Sequence, residues 1–126
     1  MGNRVAIVGV GQTHHRARRP DVNMAEMVGE AVRAALADAQ LKVKDIEAVF
    51  CGNMETFEGV YLPDHGMADE IGAFMRPGMK LASAGTTGAA VFAESFNFVA
   101  SGLFRTALAT TVTPIWGRGA SSGAIA

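Results

Sequence analysis

Residues 86–103, TTGAAVFAESFNFVASGL, read as one helix that is apolar on nearly every side. Ala89, Val91, Phe92, Phe96, Phe98 and Val99 do not fall on a single stripe, and Ser101-Gly102 closes the run as a glycine C-cap. Such a helix has to be covered on most of its surface. The rest of the chain offers four short apolar runs that read as strands and one further helix, too little for the task. The pattern predicts a large apolar patch on the isolated chain, and patches above a few hundred Å² usually mean an interface.

The supporting elements follow from hydrophobic period. Residues 4–10 form a β-branched run closed by glycine, which predicts a fully buried strand. Asn23 stands three residues before Glu26, a capping-box variant at a helix start. Met24, Met27, Val28, Ala31, Ala35 and Ala39 then repeat at helical spacing, with Glu26, Glu30, Arg33 and Asp38 on the far side. Residues 48–52 (AVFCG), 79–83 and 104–112 read as further strands, and a short helix is expected around 64–71. Strands alternating with helices argue an α/β fold with a mixed, mostly parallel sheet. Residues 1–112 are expected to form the α/β domain, and the Gly/Ala/Ser-rich residues 113–126 carry no core pattern.

Composition narrows the function classes. At 126 residues the chain is one domain at most, and 49% hydrophobic against 18% charged residues excludes disorder. A net charge of −1 gives no field to recruit nucleic acid or an anionic membrane. No apolar stretch reaches the ~18 residues of a membrane span, and the apolar run at 5–10 is too short for a signal segment. One cysteine excludes an internal disulfide and a cysteine-based zinc site and suits a reducing cytoplasm.

Four motifs bear on chemistry. VAIVGVGQTHH places Gly9-Val10-Gly11 after a strand, but His14 stands where a dinucleotide fingerprint needs its third glycine, and the helix begins late. HHRARRPD offers His14, His15, Arg16, Arg18 and Arg19 for a phosphate, although a solvated loop in which Arg19-Pro20 fixes the approach to the helix is the plainer reading. Cys51, within an apolar strand, reads as a structural thiol, and His65 as a structural histidine. Asn53, Glu55 and Glu58 leave the end of that strand, where open α/β sheets gather ligands. AGTTGAAVF sets Gly85, Thr86, Thr87 and Gly88 at a strand-to-helix turn, whose N–H groups and dipole stabilise an anion. A cysteine or serine is expected there, and threonine without an adjacent base is a weak nucleophile.

Together these pieces resemble the amino-terminal portion of the thiolase superfamily, in the branch related to sterol-carrier-protein thiolases. The resemblance rests on the first strand, the amphipathic helix, Gly52-Asn53, the Gly85–Gly88 turn and Val99-Ala100-Ser101-Gly102-Leu103, and it covers residues 4–109. It implies acyl exchange or carbon–carbon bond chemistry on coenzyme A thioesters, with coenzyme A as part of the substrate, no covalently bound cofactor and no metal. The chain departs from the family at Gly85, which stands where the acyl-carrying cysteine belongs, and at Thr110-Thr111-Val112-Thr113, where Gly-Gly-x-Glu is expected. The resemblance therefore implies a subunit or fragment of a homo- or hetero-oligomer. A partner would supply the carboxy-terminal half with its histidines, and a zinc-ribbon/OB-fold subunit is possible by the same analogy. A cysteine-less acyl-CoA aldolase or lyase subunit and a non-catalytic interaction protein are the alternatives.

Overall fold

The computed structural model describes residues 2–16, 19–54, 67–115 and 119–125. The elements run β1 (Val10–Gln12), α1 (Met24–Asp38), β2 (Ala48–Gly52), β3 (Gly78–Leu81), α2 (Thr87–Ala100), β4 (Ala107–Ile115) and β5 (Gly119–Ile125). They build an α/β half-domain around one mixed sheet with strand order β1-β5-β4-β2-β3. β2 pairs in parallel with β3 and with β4, while β5 pairs antiparallel with β4 and with β1.

β2 lies at the centre of the packing, which explains its unbroken apolar run. Successive strand side chains point to opposite faces, so Val49 and Cys51 meet α1 while Ala48 and Phe50 meet α2. A strand buried on both sides loses its alternation. On the α1 face the core comprises Met27, Val28, Ala31, Val32, Ala35 and Leu36 against Leu108, Val112 and Ala124. On the α2 face Val91 and Phe98 cover Phe50, with the Phe50 and Phe98 ring centroids 5.2 Å apart.

α1 starts as the sequence predicts. Glu26 N–H donates to Asn23 Oδ1 at 2.9 Å and Asn23 N–H donates to Glu26 Oε2 at 2.8 Å, a complete capping box. Of the short helix expected at 64–71, residues 67–71 are described and close one turn, Ile71 N–H donating to Met67 O at 3.0 Å.

Two expectations are corrected. Residues 4–10 were to form a buried strand, but pairing is confined to Val10–Gln12, and Ile7 and Val8 are each 54% exposed. β1 is an edge strand; its Gly11 and the preceding Gly9 press on α1, while Val8 and Val10 are exposed. A Cβ on Gly11 would collide with the Ala31 carbonyl of α1, so the glycine pair serves close helix–strand packing and not a pyrophosphate. Second, the segment without a core pattern supplies β5, which pairs with β4 from Ala109↔Ile125 to Ile115↔Gly119. Backbone hydrogen bonds hold it, and these need no apolar period. The sheet is mixed, as the sequence predicts, β5 bringing two antiparallel pairings beside the two parallel ones of β2.

Candidate functional site

β3 ends at Leu81, and Ser83, Ala84, Gly85 and Thr86 turn the chain into α2. The turn is built from its own hydroxyls. Ser83 N–H donates to Thr87 Oγ1 at 2.9 Å, Thr87 Oγ1 donates to Ala84 O at 2.8 Å, and Thr86 Oγ1 donates to Ser83 O at 2.7 Å. Ala84 takes φ 44°, the left-handed region, which lets the chain reverse within so few residues. Thr86 occupies the N-cap position, yet its side chain makes no capping hydrogen bond to α2. The N–H groups of Gly88 and Ala89 are then left by helix geometry without intrahelical partners. Together with the dipole they make this end of α2 electropositive.

Gly85 is the open point of the turn. Among the described residues, a Cβ there would meet nothing within 4 Å. Space for a substituent or a ligand atom lies directly in front of the helix start.

The turn sits at the carboxyl ends of the parallel strands. A Cβ at Gly52, the last residue of β2, would lie 2.6 Å from Val91 Cγ2 and 2.9 Å from Thr87 Cγ2 and Thr111 Cγ2. Gly52 therefore brings the first turn of α2 against β2 and β4, a contact that any side chain would wedge apart. Beside Gly88, an open cleft of about 480 Å³ is lined by Val91, Phe92, Ala109, Thr111, Val10 and Gly88. A second groove of about 350 Å³ continues along α2 past Phe92, Phe96 and Val99, with Val5 and Val8 opposite.

The predicted residues divide sharply. Thr86, Gly85 and Gly88 are exposed on the turn, and Thr87 is turned inward, its hydroxyl spent on the turn itself. Asn53 is placed nearby but is only 1% exposed, so a ligand in front of α2 does not reach its side chain. Glu55, Glu58 and His65 lie outside the described residues. Cys51 is buried in β2, as its apolar neighbours predict. Ser83 shapes the site without having been singled out, and Gly52 and Thr111, named in the resemblance, were not read as part of it. The signal for Gly52 was its place between a buried strand and a polar loop, which requires the helix position to interpret.

Among the described residues of the basic loop, Arg19 is structural. Arg19 donates to Glu30 Oε1 at 2.7 Å and to Asp21 Oδ1 at 3.0 Å, and only 8% of its side chain is exposed. These bonds hold the guanidinium above its ordinary value and draw the Glu30 and Asp21 carboxyls below theirs. Arg19 thus fastens the loop to α1 and leaves no charge for a phosphate. His14, His15 and Arg16 are exposed, and Arg18 lies outside the described residues. Among the described residues no three His, Cys, Asp or Glu side chains cluster as a metal site, and no helix is long and apolar enough to cross a membrane.

No family model matches the chain, and no curated protein matches it. Solved structures do. The priming β-ketosynthase from the R1128 polyketide biosynthetic pathway superposes with a TM-score of 0.74 at 20% identity, over 99% of this chain and 52% of that one. 3-Oxoacyl-(acyl-carrier-protein) synthase III from Aquifex aeolicus gives a TM-score of 0.72 at 13% identity, over 94% of this chain and 52% of that one. OleA from Xanthomonas campestris gives 0.69 at 14% identity, over 95% and 55%. All three are thiolase-fold enzymes, and the chain spans about half the length of each. The chain therefore carries a half-domain of the thiolase fold.

Proposed function

We propose that the chain is the α2-bearing, amino-terminal half of a thiolase-like protein that handles acyl-CoA thioesters, in the branch related to sterol-carrier-protein thiolases. The observation that carries this reading is the open space at Gly85 in front of the uncapped start of α2. A thioester oxygen placed there would accept from helix-terminal N–H groups, which are most valuable where negative charge develops.

The residues at the turn favour one reaction type. Covalent acyl transfer needs an activated nucleophile, but the Thr86 and Thr87 hydroxyls already donate to backbone carbonyls, and the Ser83 hydroxyl pairs with Thr86 Oγ1 and with no base. Carbon–carbon cleavage needs none. In that reaction the hydroxyl proton of a 3-hydroxyacyl thioester passes to a base, the bond between the second and third carbons breaks, and its electron pair moves onto the thioester as an enolate. The α2 N-terminus would stabilise the enolate oxygen before a proton returns to carbon. The base and acid come from a partner half, seated on the apolar grooves beside α2. We assign coenzyme A only as part of the substrate.

Binding of a non-hydrolysable acyl-CoA thioether, followed by calorimetry on the purified protein with its copurifying partners, tests the reading. Gly85→Leu, which fills the open space, is expected to weaken binding at least tenfold. Equal affinity in the variant would remove the turn from the site. A second reading, a non-catalytic interaction module, draws support from Phe92 and Phe96, 38% and 44% exposed on the outer face of α2. Gly85→Cys separates the two, because an acyl adduct on that thiol in the complete assembly requires a substrate to visit the turn.

A further inference from the structure

Past Gly52, β2 ends while β4 runs on to Ile115. The buried Val112 carbonyl of β4 therefore loses the ladder partner that β2 gave the residues before it. Asn53 fills that place: its Nδ2 donates to Val112 O at 3.1 Å, while its backbone N–H donates to Leu81 O of β3 at 3.2 Å. One residue, buried to 1% exposure, thus joins the carboxyl end of β3 to the middle of β4 across the end of β2.

β3 leads into the turn, and β4 packs against the helix that follows it. Leu81 is four residues before Gly85 along the chain. Thr111, next to Val112, is the β4 residue whose methyl stands 3.9 Å from a Cβ position on Gly88 and closes the wedge at Gly52. We infer that Asn53 is a positioning residue that sets the start of α2 against β4, and with it the direction in which the helix-terminal N–H groups face at Gly85. The inference rests on the acyl-thioester reading for its purpose, but its geometry involves only this chain. It also changes the role of Asn53 from a ligand contact to a residue that acts through the turn.

The test uses Gly85→Cys as a reporter in the full chain, with iodoacetamide alkylation at that position followed by peptide mass spectrometry, which keeps it distinct from Cys51. A thiol at a helix start titrates below the ordinary value of ~8.5. The midpoint of the alkylation rate against pH is expected to lie below that value in the reporter. Adding Asn53→Ala is expected to raise it by at least half a pH unit, and Asn53→Gln, which keeps the amide donor, to recover part of the shift. Val28→Ala, a core change beneath α1, supplies a destabilised control whose midpoint stays put. If Asn53→Ala does not fold, Asn53→Ser is read in the same way. A midpoint unchanged by loss of the amide, with a lowered Tm, would make Asn53 a structural residue only and overturn the inference. An unshifted thiol in the reporter itself would overturn the acyl-site reading and the inference together. Alkylation that shifts with Asn53 while acyl-CoA fails to bind would leave the positioning role standing alone.

Discussion

Gly52 and Gly85 carry the same side chain for opposite reasons. At Gly52 three methyl groups converge within 2.9 Å of any Cβ, whereas Gly85 faces open space. Gly52→Ala is therefore expected to destabilise the protein by ~1–3 kcal/mol through overpacking. Gly85→Ala should change stability by no more than ~0.5 kcal/mol, as at an open surface site. Urea denaturation of the two variants side by side checks the contrast, and equal losses would contradict the geometry. Asn53→Ala leaves the Val112 carbonyl buried without its side-chain donor, at a cost of ~1–3 kcal/mol in the same measurement. None of these differences is written in the residue names. Both glycines were visible as motif members, and Asn53 read as a ligand contact because a polar residue after a buried strand usually meets solvent.

At the scale of elements the sequence was more informative, because helix ends are decided locally. The capping box of α1 joins residues three apart, so it needs no tertiary partner to be recognised. Asn23→Ala is expected to cost ~1 kcal/mol, read from thermal or urea unfolding. The loop before α1 was not legible in the same way, since Arg19 chooses Glu30 from eleven residues away. Hydrogen bonds from Arg19 hold the Glu30 and Asp21 carboxyls below the usual carboxylate range. The Arg105 backbone N–H, and then its side chain, do the same for Glu47. Groups whose folded pKa is depressed contribute stability that is fully present above their unfolded values and is lost as pH falls through the folded ones. Tm is thus expected to be flat from pH 7 to ~5 for these groups and to fall below pH ~4. In Arg19→Gln the fall below that point should be shallower. An equally steep acid limb would mean that these ion pairs are not kept in solution.

For the molecule as a whole, the decisive feature is an apolar helix with only one side covered. Phe98 packs inward on Phe50 and Phe104, so of the three phenylalanines of α2 it belongs to the core, while Phe92 and Phe96 remain outside. Replacing both outer residues by serine should abolish hydrophobic-dye binding and concentration-dependent association while shifting Tm by only a few degrees. Retained association, measured by sedimentation, would place the interface elsewhere. The sequence by itself determined the α/β class, the starts of both helices, the burial of β2 and the strand-to-helix turn before α2. Each of these is fixed by local period, capping or glycine placement, which act over a few residues. Only the tertiary structure decided that 119–125 joins the sheet, that β1 is an exposed edge, and that Asn53 faces inward. Those outcomes depend on which strand lies next to which, and pairing between distant backbone groups leaves no periodic trace in the side chains.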